Sequence, residues 1–143
     1  MALVYLGLGS NIGDRLKNIE QAISLLASKM TVEHASTVIE TDPIGGPPQE
    51  KYLNAVLKVT TASSPHELLV TTQEIERLMG RQRTSIKNAP RIIDIDILLY
   101  GDQRIHDKDL TIPHPRMLMR EFVMKPLEEL DSTLAHALLK ENV

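Results

Sequence analysis

An α+β fold, built as an antiparallel sheet with two helices on one face, is predicted by three observations. The apolar period switches between two and 3.6 in the order strand, helix, strand, strand, helix, strand. Helix-start signals precede both helical stretches. A loop rich in proline and glycine separates the first half from the clearest strand. That order is the βαββαβ, or ferredoxin-like, arrangement, here followed by a C-terminal extension.

Residues 2–9 read as a strand, with Val4, Leu6 and Leu8 on one face and Tyr5, Gly7 and Gly9 on the other. "GSNIGD" turns the chain, and Asp14 is placed to cap the first helix. Its stripe is Leu16, Ile19, Ile23, Leu26 and Met30. Residues 31–41, rich in Thr and Val, are expected to form one strand, and "DPIGGPPQEK" a loop. Residues 52–61 alternate, with Leu53, Ala55, Leu57 and Val59 on one face and Tyr52, Asn54 and Val56 on the other. "SSPHE" starts the second helix with Ser64 as cap, Pro65 in the first turn and Glu67 completing a capping box. Leu68, Thr72, Ile75 and Met79 continue its stripe, and Gly80 ends it. Residues 92–100 make the next strand, and "YGDQR" reads as a turn into a short partner. After "IPHPR" come a helical turn, a short segment around Phe122 and a helix from about Ser132.

The length of 143 residues fits a single domain over 1–143 with a sizeable core. Hydrophobic residues make up 42% and charged residues 24%, ordinary values for a globular chain. No apolar run is long enough to span a membrane, and "MALVYLGLGSN" reads as a strand rather than a signal peptide, so a cytoplasmic location is expected. Cysteine is absent, which excludes disulfides, thiolate metal sites and cysteine nucleophiles. Aromatics are few, so the core is built from aliphatic residues and methionine.

The net charge of −3 hides an asymmetry. Residues 77–91 carry Arg77, Arg81, Arg83, Lys87 and Arg91 with no acid, and "IIDIDIL" follows at once. In a strand, Asp94 and Asp96 share a face, roughly 6.5–7 Å apart along the chain. Bare, they repel, and one pKa rises. A hard divalent cation relieves the repulsion, and magnesium takes one or two carboxylates together with phosphate and water oxygens. Arginine forks beside the pair suit the charge that phosphoryl transfer spreads over non-bridging oxygens. Strand parity gathers Gly7, Gly9, Tyr52, Asn54, Asp94 and Asp96 on the face away from the two helices. A solvated loop and a solubilising strand edge are the bland readings of these charges.

Other patterns are weaker. "GLGSNIG" spells G-x-G-x-x-x-G and lacks the acid and parallel context of a dinucleotide site. No Walker A sequence is present. His34, His66, His106 and His136 show no metal spacing. His114 in "PHPR" suits a structural turn as well as a site.

"KNAPRIIDIDIL" resembles the signature of the hydroxymethyl-dihydropterin pyrophosphokinases of folate biosynthesis, through Lys87, Ala89, Pro90, Arg91, Asp94, Ile95 and Asp96. "YLGLGSNIGDR", "KYLNAV", "IERLMGRQR" and "LTIPHPRM…REFV" are similar to family motifs in the same order, over about residues 3–130. The resemblance implies transfer of pyrophosphate from ATP to the hydroxymethyl group of 6-hydroxymethyl-7,8-dihydropterin, releasing AMP. It implies that Asp94 and Asp96 hold two Mg²⁺ ions on the triphosphate, and that Arg81 and Arg91 stabilise the transferring group with help from Arg83. Gln73, Glu76, Ile97, Thr111, His114 and Arg120 match nucleotide-contacting positions. Tyr52 and Phe122 would sandwich the pterin, Asn54 would bond its edge, and the backbones of Thr41 and Ile44 would complete the pocket. Asn88-Ala89 stand where many relatives have Trp-Gly, and Asp109 where some have a basic residue. No general base stands out.

Two rivals share this topology. An RNA- or small-ligand-binding module would show aromatics on its central strands rather than paired acids. A two-metal nucleotidyl-transferring domain would not need Tyr52 and Asn54 opposite Phe122 for a flat acceptor. The partners expected are therefore small molecules, with no nucleic acid and no membrane, and a monomer.

Overall fold

The computed structural model describes residues 1–43, 48–80 and 91–141. Arg81, Arg83 and Ile44, with the rest of the basic segment up to Pro90, lie outside the described residues. The elements run β1 (Ala2–Ser10), α1 (Arg15–Ala27), β2 (Thr31–Ala35), β3 (Ile39–Thr41), β4 (Tyr52–Thr61), α2 (Pro65–Leu78), β5 (Asp94–Tyr100), β6 (Ile105–His106), β7 (Thr111–Ile112), a 3₁₀ turn (Met117–Met119), α3 (Glu121–Leu130) and α4 (Ser132–Glu141).

The main sheet has the order β2-β4-β1-β5, with β3 also paired to β4, and every pairing in it is antiparallel. This is the predicted α+β, ferredoxin-like order. Helices α1 and α2 cover one face. Val4, Leu6, Leu8, Leu57, Val59, Ile93, Ile95 and Ile97 meet Ile19, Ala22, Leu26, Leu68 and Ile75 there.

Local chemistry places the helix starts as the sequence predicts. The Asp14 side chain accepts from Lys17 N at 3.1 Å. Ser64 and Glu67 form the reciprocal capping box, so two donors that the first turn would leave unpaired are satisfied. Gly80 ends α2 at φ +91°, a left-handed conformation that a side chain would strain. Leu16 departs from the predicted stripe. It is exposed, and Ala22 takes its place in the buried face.

Three expectations are corrected. Residues 31–41 are two short strands rather than one. Between them Ser36 hydrogen-bonds to Val56 through its backbone N–H, and its hydroxyl accepts from Val56 N at 2.8 Å, so a side chain replaces a ladder rung. The segment after "YGDQR" does not pair with β5. Ile105–His106 pairs instead with Thr111–Ile112 in a separate two-stranded sheet. Phe122 stands in the first turn of α3, a helix of 10 residues, rather than in a short segment before the C-terminal helix.

The largest difference lies on the second face. Tyr5, Val56, Leu98 and Leu99 pack with Met117, Val123, Leu127 and Ala135, so α3 and α4 cover part of the face opposite α1 and α2. A β-bulge makes this possible. Leu6 pairs with Ile97 and Tyr5 with Leu99, which leaves Leu98 as the extra residue. Leu98 and Leu99 then serve the same cluster, and Tyr100 returns to the α1/α2 side. The Tyr5 hydroxyl donates to Asp131 Oδ2 at 3.3 Å, which joins β1 to the start of α4.

Burial first, then the Asp131 charge and the hydrogen bond to it, push the Tyr5 phenol up to about 12. The value is raised above the ordinary ~10, so the stabilisation is complete below about pH 10 and is lost as pH rises through the folded value. We expect unfolding free energy to fall between about pH 10 and 12, and Tyr5→Phe to reduce that fall. Urea denaturation on either side of this window tests it, and equal slopes in the two proteins would contradict the assignment.

Candidate active site

Strand register builds the site. Gly9 of β1 pairs with Asn54 on one side and Asp94 on the other. Gly7 pairs with Val56 and Asp96. Directly opposed residues share a face, so two rows cross three strands: Asn54–Gly9–Asp94 and Val56–Gly7–Asp96. The acids and the amide are thereby separated by residues that have no side chain.

The cleft above these rows is lined by Thr41, Asp42, Pro43, Tyr52, Asn54, Arg91, Asp94, Asp96, Arg120 and Phe122 among others. Its floor is the sheet, and one wall is the first turn of α3. Asn54 is buried, and its Nδ2 donates to Thr41 Oγ1 at 2.5 Å, which orients the amide. Gly9 is a point of close approach. A Cβ there would lie 3.1 Å from Asn54 Oδ1 and 3.3 Å from the Tyr52 ring. The Arg120 guanidinium sits over the Phe122 ring, 5.3 Å from its centroid, within cation–π range.

The residues predicted for the nucleotide divide differently. Arg120 lines the cleft. Glu76 and His114 instead bond the backbone of β5, whose outer side has no neighbouring strand in the main sheet. Buried Glu76 accepts from Ile95 N at 2.8 Å, between the two aspartates. The His114 N–H donates to Leu98 O at 2.9 Å. Burial first, then Arg120 and Arg116, lower the His114 pKa, with Asp94 opposing them. His114 is therefore poised neutral near pH 7. Gln73 is exposed on α2 and Thr111 lies on β7, and neither lines the cleft. The Ile97 side chain is in the α1/α2 core, so backbone is all it has to offer a ligand.

Sequence reasoning passed over Asp42, Pro43 and Val123 in the cleft lining, the Arg120–Phe122 contact, and Asn11. The first four depend on how α3 and the β3–β4 connection fold back, which no local period reports. Asn11 had a local signal, a polar residue in a glycine turn, that pointed to nothing specific.

Among the described residues, no group of three or more His, Cys, Asp or Glu converges as a ready metal cage. Asp94 and Asp96 supply only hard oxygen donors on one half-buried face, which fits magnesium completed by phosphate and water oxygens. The RNA-module alternative needs an open aromatic sheet face, but here α3 and α4 cover the region of Tyr5 and Val56.

Paired carboxylates, guanidinium groups and an aromatic cleft on an antiparallel α+β sheet define a phosphotransferase for a small flat acceptor. A family model for 7,8-dihydro-6-hydroxymethylpterin-pyrophosphokinase matches residues 5–132. The chain belongs to that family, and it is an ATP-dependent diphosphotransferase of folate biosynthesis. It is 43% identical over 130 residues to a 2-amino-4-hydroxy-6-hydroxymethyldihydropteridine pyrophosphokinase of Bacillus subtilis, covering 90% of this chain and 77% of that protein. It is 43% identical over 141 residues to the enzyme of that name from Aquifex aeolicus, covering 99% and 88%. In fold it is similar to Plasmodium falciparum HPPK-DHPS in a crystal structure, with a TM-score of 0.69 and 18% identity over 91% of this chain. This chain spans 40% of the length of that solved chain.

Gly9→Ala tests whether Asn54 and Tyr52 form an acceptor cradle, as the family resemblance implies. The added methyl displaces Asn54 or Tyr52 by a few tenths of an ångström, an overpacking cost of about 1 kcal/mol or more. We expect pterin binding, followed by calorimetry, to weaken about tenfold while nucleotide binding changes about twofold or less. Equal weakening of both ligands would contradict a local effect on the acceptor cradle.

Proposed function

We propose that the cleft over β1, β4 and β5 is where pyrophosphate passes from ATP to the hydroxymethyl group of 6-hydroxymethyl-7,8-dihydropterin. The observation that carries this reading is the pair of rows Asn54–Gly9–Asp94 and Val56–Gly7–Asp96, which puts the Asn54 amide and two carboxylates on one face of the sheet beside the cleft. The pterin hydroxyl oxygen attacks the β-phosphorus of ATP. The bond from that phosphorus to the α–β bridging oxygen breaks, AMP departs with the bridging oxygen, and the hydroxyl proton is released. Tyr52 and Phe122 stack on the ring, and Asn54, oriented by Thr41, bonds its edge. The backbone of Ile44 would complete that pocket.

Asp94 and Asp96 would hold two Mg²⁺ ions, which when bound neutralise and orient the triphosphate oxygens. Arg91 and Arg120, both in the cleft lining, supply fixed positive charge where charge develops on the transferring group. Arg81 and Arg83 are assigned the same duty by family resemblance. Glu76 and His114 act from the outer side of β5 by setting the strand that carries the acids; with His114 Nδ1 accepting from Arg116 N at 3.3 Å, the neutral ring has its Nε2–H to donate to the nucleotide. Gln73, Ile97 and Thr111 remain nucleotide contacts by resemblance alone. No side chain is needed as base if positioning and charge dominate. Action by a monomer is part of this reading. No described helix is long and apolar enough to cross a membrane, and a cytoplasmic setting goes with small, charged substrates.

Incubation with ATP, magnesium and the reduced hydroxymethyl pterin should yield AMP and a pterin diphosphate. Formation of ADP, or no pterin product, would sink the reading. Asp96→Ala should lower turnover by about a hundredfold or more while the circular dichroism and melting profile keep a folded protein. A near-normal rate in that variant with magnesium would show that the carboxylate does not hold the ion.

A further inference from the structure

The turn after β1, "SNIGDR", has no part in the chemistry above, yet it holds the two ends of the cleft. Asn11 is 1% exposed. Its backbone N–H donates to Arg91 O at 3.0 Å, and its Oδ1 accepts from Arg91 N at 2.7 Å. Its Nδ2 donates to Gln49 Oε1 at 2.6 Å and to Glu50 O at 3.1 Å. Two backbone partners dictate which way the amide faces. An N–H can be met only by the oxygen, and a C=O only by the nitrogen.

One buried amide thus ties Arg91, which leads into β5, to residues 49–50, which lead into Tyr52. The neighbouring side chains strengthen the same junction. Arg15 donates to Lys51 O at 2.8 Å and pairs with Glu40 of β3 at 2.9 Å. Asn18 holds the turn itself through Ser10 Oγ at 3.2 Å and Ile12 O at 2.8 Å. Asparagine is the residue this geometry calls for. Aspartate would keep the acceptor and lose both donors, alanine would lose all three side-chain bonds, and glutamine would place its amide one carbon too far out.

We propose that Asn11 is a positioning residue, which fixes the cationic end of the cleft at Arg91 relative to the acceptor-stacking end at Tyr52. The inference rests on the transfer reading above. Its consequence is specific to the ternary complex. Each substrate alone meets only one end of the junction, whereas in-line attack needs both ends in register, and a misplacement of about 1 Å can cost on the order of a hundredfold in rate.

The test compares full-length wild type, Asn11→Ala, Asn11→Asp and a core control, Ile19→Val, which perturbs α1 beneath the other face of the sheet. Steady-state kcat and KM are measured for both substrates, with melting temperature and calorimetric binding of each ligand alone, a non-hydrolysable ATP analogue serving for the nucleotide. Asn11→Ala should lower kcat about tenfold or more, while each single-ligand Kd stays within about threefold of wild type. Asn11→Asp, which keeps the Arg91 bond, should fall between. Should Asn11→Ala not fold, Asn11→Asp alone decides, and a wild-type kcat in it overturns the proposal. So does a loss of kcat in Asn11→Ala no greater than in Ile19→Val, or equal weakening of both single-ligand affinities. An inactive wild type in the same assay would instead overturn the transfer reading and this inference with it.

Discussion

Gly7 and Gly9 lie directly opposite Asp96 and Asp94, and this pairing of β1 with β5 is the constraint that the site depends on. Two carboxylates on one strand face repel, and burial would cost them their solvation. Bulky neighbours on β1 would force that burial. Glycines leave a trough instead, open enough for oxygen ligands and a cation. The same two glycines keep the path clear to Asn54 and Val56 across β1. A side chain at Gly9 would meet Asn54 and the Tyr52 ring at once, so those two side chains share one requirement for space.

The rest of the sheet makes that trough stable. Ile93, Ile95 and Ile97 alternate with the aspartates and seal the other face against α1 and α2. Each burial of such a side chain contributes about 1.5–3 kcal/mol, enough to offset an unfavourable charged face. Beyond Ile97 the alternation breaks at the Leu98 bulge, and the strand changes from forming a site to forming a core. α3 and α4 cover that second core, and the first turn of α3 then presents Arg120 and Phe122 to the cleft. The helices that the linear order treats as an appendix are therefore a wall of the site.

The outer side of β5, the end of the main sheet, gives the site a second dimension. An edge strand has backbone groups without a sheet neighbour. Glu76 from α2 and the His114 backbone take up two of them, on either side of Asp96 in sequence. Across β1, Thr41 orients Asn54, and the Asn11 junction links Arg91 to the approach to Tyr52. On the transfer reading proposed above, the acceptor residues Tyr52 and Asn54 thus lie on the inner strand β4 and the nucleotide-side residues around the edge, with the carboxylates between them.

Much of this was legible in the sequence because it follows from strand parity and local capping. The alternation of Ile with Asp set the two faces of β5, and "YLNAVL" did the same for β4. Ser64, Pro65 and Glu67 determined where α2 begins. These are interactions among residues a few positions apart, so their signals are local. Tertiary structure decided what local period could not encode. Ser36 split one predicted strand into two by bonding Val56, twenty residues away. Leu98 became an extra residue only because β1 pairs on both sides of it. Phe122 came to the cleft because α3 packs on Tyr5 and Val56 rather than continuing into solvent. Asn11 acquired its partners at 49–50 and at 91 only when two distant segments met at the end of β1. The sequence by itself determined which residues carry charge and which face each takes. The packing of distant segments decided which of them meet, because those contacts depend on the whole chain closing around two cores.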